Sequence, residues 1–189
     1  MILRLLQRAG ALMSGQTTAS RQLAEKRLLF VCTGNICRSP TAEAVMRRQL
    51  SAAGLQGRIE VASAGTHALR GSAADARAVR AAAGRGYDMA RLRARQFVRQ
   101  DFAQFDHILV MDQDHIDWLR RDQPAAHAPR VELLMNFARQ TPGVSEVPDP
   151  YYGPPQGFEE ALNLIEDACA GLLETLRATP VVSGQLPRG

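Results

Sequence analysis

An apolar run, Arg27-Leu28-Leu29-Phe30-Val31, leads straight into Cys32-Thr33-Gly34-Asn35-Ile36-Cys37-Arg38, and Ser39-Pro40 follow at once. A continuous apolar run this short reads as a strand buried on both faces. Ser39 as an N-cap, with Pro40 at the first helical position, reads as a helix start. The chain must therefore pass from a buried strand to a helix through one tight loop bracketed by a cysteine and an arginine. In α/β sheets, ligands bind beyond the carboxyl ends of the strands, which is where this loop falls.

The rest of the chain alternates in the same way. Ala42, Val45, Met46 and Leu50 recur at helical spacing, so the first helix is expected to run to about Ala53. Strands are expected over Arg58–Ser63, Asp106–Met111 and Arg130–Leu134, with helices over Ala73–Ala83 (stopped by Gly84 and Gly86) and Asp112–Arg121. Gly143–Gln156 is rich in Pro and Gly and reads as a loop. In the last helix Phe158, Leu162, Ile165, Cys169, Leu172, Leu173 and Leu176 share one face. The expected architecture is α/β, a three-layer sandwich with a four-stranded parallel sheet and a phosphate-binding loop after the first strand. At 189 residues the chain suits one domain, placed at 27–178. Residues 1–26 read as a poorly ordered or partly helical N-terminal extension, because Arg4 and Arg8 interrupt the only apolar stretch. It is too short to span a bilayer and makes a poor signal-peptide core. Residues 179–189 read as a mobile tail.

The net charge is +4, with the arginines scattered, which leaves no nucleic-acid footprint but favours anionic partners. Three cysteines, two of them inside the loop, make neither a disulfide framework nor a zinc site. The four histidines, His67, His107, His115 and His127, show no ligand spacing. A working thiol suits the reducing cytoplasm.

Backbone N–H groups from Thr33 to Arg38, turned inward, would form an anion nest through Thr33, Gly34, Asn35, Ile36 and Cys37, and the helix start adds its dipole. Arg38 offers a planar fork for two phosphate oxygens. The same positive environment is expected to lower the Cys32 pKa, with the Ser39 hydroxyl donating to the sulfur. Gly34 and Asn35 suit positive φ angles. Asp149, in Val147-Pro148-Asp149-Pro150-Tyr151-Tyr152-Gly153, is the candidate general acid, held extended by its prolines. A neighbouring phosphate dianion would raise its pKa. Tyr151 and Tyr152 would form an aromatic wall beside the leaving group. Asp112, at the end of the third strand, is a candidate to orient Arg38.

These stretches, with Ser63-Ala64-Gly65-Thr66, Ala94-Arg95-Gln96 and Met111-Asp112, resemble the low-molecular-weight protein tyrosine phosphatases over nearly all of residues 27–178. The resemblance implies Cys32 as nucleophile, Arg38 as phosphate ligand, Ser39 as the group that tunes the thiolate, and Asp149 as general acid, with no metal or organic cofactor. It implies an Asn35–Ser63 pair supporting the loop, and a Cys37 able to form a reversible disulfide with Cys32; a small apolar filler is the other reading of Cys37. Cys169 reads as core. Two positions depart from the family pattern. Leu69 stands where many members carry an aromatic residue that stacks on the substrate ring, and Leu92 replaces a buried His. The Ser63–Gly71 segment resembles the bacterial subgroup partnered with autophosphorylating tyrosine kinases in capsule and exopolysaccharide export, which implies a phosphotyrosine protein as partner. Oligomeric state is left open. Arginine phosphatases of the family typically have Thr at the position of Ile36. Arsenate reductases need two further relay cysteines, whereas Cys169 is alone. A phosphocysteine carrier domain would need neither Arg38 nor Asp149.

Overall fold

A computed structural model describes residues 25–125 and 131–178. The expectations for the N-terminal extension and the tail fall, but for Glu25 and Lys26, outside these residues. Four parallel strands pair in the order β2-β1-β3-β4, where β1 is Lys26–Cys32, β2 Ile59–Gly65, β3 His107–Val110 and β4 Val131–Leu133. Leu28, Leu29, Phe30 and Val31 of β1 are fully buried. Successive strand side chains point to opposite faces, so this one segment supplies both cores. Leu28, Phe30 and Cys32 join Val45 and Met46 of α1 (Arg38–Ala52) and Leu162, Ile165 and Leu172 of α5 (Gln156–Ala178). Leu29 and Val31 face Phe97, Phe102 of α3 (Asp101–Gln104), and Ile116 and Leu119 of α4 (Gln113–Arg120). Helices thus cover both faces of the sheet, the expected three layers. The short α2 (Ala76–Gly84) sets Ala78 and Ala82 against Cys37, Ala44 and Phe158.

β1 pairs with β2 on one side and with β3 on the other. The strand order therefore reverses at β1, and the crevice beyond its carboxyl end is the switch point where such sheets bind ligands. Cys32 is the last residue of that strand.

Several boundaries differ from the sequence expectation. The first helix begins at Arg38, with Cys37 as a cap that makes no side-chain bond. Ser39 is inside the first turn rather than at the N-cap, because its hydroxyl is drawn into the loop. Pro40 then occupies a first-turn position whose N–H has no intrahelical acceptor in any case. The second helix starts later, after Asp75, whose carboxylate accepts from the Arg77 N–H. Two short elements carry no periodicity and were not expected: α3, and a 3-10 turn over Leu134–Phe137. Arg130 lies outside the described residues.

The first of these cores, between the sheet and α1 and α5, depends on one close approach. A Cβ added to Gly171 of α5 would collide with the Phe137 carbonyl oxygen, and with its carbon at 3.1 Å. Gly171→Ala is expected to lower the urea midpoint, at a cost of about 1–3 kcal/mol typical of overpacking. An unchanged midpoint would show that α5 can move away from Phe137 freely.

Candidate active site

The loop after β1 is fixed from outside. The carbonyls of Cys32, Thr33 and Ile36 accept from the N–H groups of Thr66 (2.9 Å), His67 (2.8 Å) and Asp75 (2.8 Å). With these carbonyls committed outward, the N–H groups of Gly34 through Cys37 have no carbonyl partner among the described residues. They are available as an anion nest. Among the described non-glycine residues, Asn35 alone has a left-handed φ, 53°. Gly34 does not share it, contrary to the sequence expectation. Gly65 matters more: a Cβ there would fall 2.5 Å from the Thr33 carbonyl and 2.9 Å from the Asn35 nitrogen.

The Asn35 side chain makes the turn possible and sets the direction of a proton chain. Its carbonyl oxygen accepts from the Arg95 N–H at 2.9 Å, so its amide nitrogen donates to Ser39 Oγ and Ser63 Oγ, each at 2.9 Å. Ser63 in turn donates to Glu43 Oε2 at 2.6 Å, and Glu43 Oε1 meets Arg47 at 2.6 Å. Ser39 already accepts from Asn35, so its own proton is free for Cys32 Sγ, 3.0 Å away. The Ala64 carbonyl, at 3.2 Å, is the competing acceptor. Leu92, at the position of the missing His, packs on the cluster that holds Cys37 and Met89. Glu43 on α1 ends the chain from Ser63. Sequence reading missed Glu43, although Ser39, Glu43 and Arg47 fall at i, i+4 spacing on one helix face.

Arg38 is buried, and its fork is divided between two carboxylates. Nη1 donates to Asp112 at 2.6 Å and to the Val147 carbonyl at 3.2 Å, while Nη2 donates to Asp149 at 2.7 Å. Behind Asp112 lies His115, a buried residue that spacing arguments passed over. Its Nδ1 lies 2.6 Å from Asp112 Oδ1, which also accepts from the His115 backbone N–H at 3.0 Å. Its Nε2 lies 3.0 Å from the Thr33 hydroxyl. Burial pushes the Asp112 carboxyl up, yet His115 and Arg38 together outweigh it and hold the group at about 2. The acid loop docks on the sheet end through Val147 N–H to the Met111 carbonyl at 2.8 Å. Asp149 Oδ1 accepts from the Tyr151 N–H at 3.1 Å.

A cavity of about 200 Å³ opens between these groups, lined by Cys32, Thr33, Ile36, Arg38, Asp149 and both tyrosines, among others. The two rings meet edge to face at 4.9 Å, and Tyr152 is 94 % exposed. Leu69 is 78 % exposed and does not line the cavity, nor do Asn35 and Ser63, which lie behind the loop. Burial and the nearby Asp75 raise the Cys37 thiol to about 12, which keeps it protonated. Cys169 is fully buried in the core. No helix among the described residues is long and apolar enough to cross a membrane.

A strand-borne thiol, an anion nest and a divided arginine fork agree with what comparison with known proteins finds. The family described as low molecular weight phosphotyrosine protein phosphatase matches residues 27–181. The chain belongs to this family. It is 44 % identical to the low molecular weight protein-tyrosine-phosphatase of Streptomyces coelicolor, over 80 % of this chain and 93 % of that one. Among solved structures, the Entamoeba histolytica protein tyrosine phosphatase with Hepes in its active site superposes with a TM-score of 0.76 at 37 % identity, covering 80 % of this chain and 97 % of that one. The tyrosine phosphatase Wzb of Escherichia coli K30, in complex with sulphate, gives 0.71 at 32 %, covering 80 % and 98 %. The protein is accordingly a protein-tyrosine phosphatase.

The phosphatase's Asp112 contributes stability that is fully present above the ordinary carboxylate value of 3.8 and is lost as pH falls through about 2. Asp112→Asn is expected to cost roughly 2 kcal/mol near neutral pH. In urea titrations that gap should close between pH 4 and pH 2. A gap independent of pH would assign the loss to packing instead.

Proposed function

We propose that the enzyme hydrolyses phosphotyrosine in proteins through a phosphocysteine intermediate on Cys32, with Asp149 as general acid and then general base. The observation that carries this reading is the Arg38 guanidinium, bonded to Asp149 at 2.7 Å within a cavity that Cys32 also lines. Phosphate oxygens bind the loop N–H groups and Arg38, which suits a dianion that would repel an anionic nucleophile elsewhere. The Cys32 thiolate, steadied by the Ser39 hydroxyl, attacks phosphorus. The P–S bond forms as the P–O bond to the tyrosyl oxygen breaks, and Asp149 gives that oxygen its proton. Asp149, now a carboxylate, takes a proton from water as it attacks phosphorus. The P–S bond breaks, releasing inorganic phosphate and the thiolate.

Tyr151 and Tyr152 wall the mouth against the substrate ring. Leu69 does not line the cavity, and in place of a stacking aromatic residue it would grip the substrate ring more loosely. The sulphate in the Wzb structure supports binding of a tetrahedral oxyanion by a fold of this kind. The physiological substrate is an autophosphorylated bacterial tyrosine kinase of polysaccharide export, or a target of it, in the cytoplasm. This finer reading rests on the Ser63–Gly71 segment. Ile36 lines the cavity and disfavours phosphoarginine.

Cys32→Ser should abolish turnover of p-nitrophenyl phosphate and of a phosphotyrosine peptide; full activity in that variant would overturn the mechanism. Asp149→Ala should lower kcat about 10²-fold or more, with inhibition by inorganic phosphate largely preserved. Phosphotyrosine should be preferred to phosphoarginine in side-by-side assays, and the reverse order would replace the substrate assignment.

A further inference from the structure

Asp149 is exposed on a loop bounded by two prolines, yet a general acid has to meet the leaving oxygen within a few tenths of an ångström. Something must fix its loop. The one N–H given to Asp149 Oδ1 comes from Tyr151, at 3.1 Å. The Tyr151 carbonyl is itself held by Arg77 Nη2, from the first turn of α2, at 3.0 Å. The Arg77 guanidinium lies over the Tyr151 ring, 5.5 Å from its centre, and over the Phe158 ring of α5 at 4.5 Å. Its direction is set by Asp75, which accepts from Nε at 3.1 Å and from Nη2 at 2.9 Å. Asp75 also donates its backbone N–H to the Ile36 carbonyl of the phosphate loop, at 2.8 Å. A continuous path thus joins the anion nest to the acid: Ile36, Asp75, Arg77, Tyr151, Asp149.

We propose that Arg77 is a positioning residue for catalysis, a latch that holds the Tyr151 N–H as the pivot on which the Asp149 carboxyl turns. The inference rests on the acid role proposed for Asp149. Oδ2 is bonded to Arg38 at 2.7 Å. When a phosphate oxygen takes that position on Arg38, Oδ2 is released, while Oδ1 stays on the Tyr151 N–H. The carboxyl then rotates about a fixed point towards the leaving oxygen instead of drifting into solvent. A planar fork is needed, because the guanidinium meets Asp75, the Tyr151 carbonyl and two ring faces together, which an ammonium does not do.

The test separates positioning from plain support. For a series of aryl phosphates, kcat/KM reports the first chemical step, and general acid assistance matters most when the leaving group is basic. Arg77→Ala should lower kcat/KM about tenfold on phenyl phosphate but no more than about twofold on p-nitrophenyl phosphate, a fraction of the ~10²–10⁴ that a general acid supplies. Its inhibition constant for inorganic phosphate should stay within about twofold, since the anion nest is intact. Combined with Asp149→Asn, the Arg77→Ala loss should vanish, because the latch then has nothing to place. Arg77→Lys keeps the charge and should show the same leaving-group pattern, and it carries the test if the alanine variant fails to fold. An equal loss on both substrates, or a loss that adds to that of Asp149→Asn, overturns the latch. If Asp149→Asn itself leaves the leaving-group dependence unchanged, the acid assignment fails, and the latch falls with it.

Discussion

The carboxyl edge of the sheet depends on one side-chain amide. Asn35 sits at a φ that costs an ordinary L-residue roughly 1–2 kcal/mol, and its three hydrogen bonds hold it there. Each bond ties the turn to a different element: α1 through Ser39, β2 through Ser63, and the segment after α2 through Arg95. A loop held on three sides can keep its N–H groups pointed inward before any ligand arrives. That preorganisation is what an oxyanion site requires, since dipoles that must reorient during the reaction lose much of their effect. Gly65 belongs to the same device, because any larger residue would push β2 away from the turn.

Charge is arranged around this frame in two separate systems. On one side Arg38 is gripped by Asp112, whose carboxyl is kept ionised by His115 and by Arg38 itself. On the other, buried Glu43 is paired with Arg47 and anchors the serine–asparagine chain that ends at the sulfur. Truncating one member of a buried network leaves its partner unsatisfied, so these outer groups weigh more heavily than their distance from phosphorus suggests. Leu92 packs as an apolar side chain on the cluster of Cys37 and Met89, and the Glu43–Arg47 pair closes the hydrogen-bond chain from Ser63.

The parts of this molecule that could be read from its sequence are those governed by local rules. The apolar run of β1, the helix periodicity of α5 and the Cys32–Arg38 spacing all act over a few residues, and they locate the sheet, the layers and the loop. Ser39 was misread as a cap because a serine before a proline obeys the capping rule unless other partners claim its hydroxyl, and Asn35 and Cys32 do. His115, Glu43 and Arg77 stayed hidden for a related reason: each looks like an ordinary helix residue until tertiary packing gives it a partner far along the chain. Gly34 shows the opposite error, a glycine whose freedom the backbone does not use. The short α3 and the turn after β4 were unreadable because elements of four residues have no period to detect.

The pairing of Arg38 with Asp149 has a consequence for how this site responds to its surroundings. An intramolecular carboxylate, that of Asp149, sits on the guanidinium face that a phosphate oxygen would claim. Substrate capture is then an ion exchange, with one anion leaving as another arrives. The cavity is never left with a bare cation, and small mobile anions such as chloride meet a competitor tethered at high local concentration. Such a competitor favours ligands that bring two charges and a tetrahedron of oxygens to the loop. Selectivity for phosphate esters over weaker anions would then be set before chemistry begins, by the same residue that is proposed as the general acid.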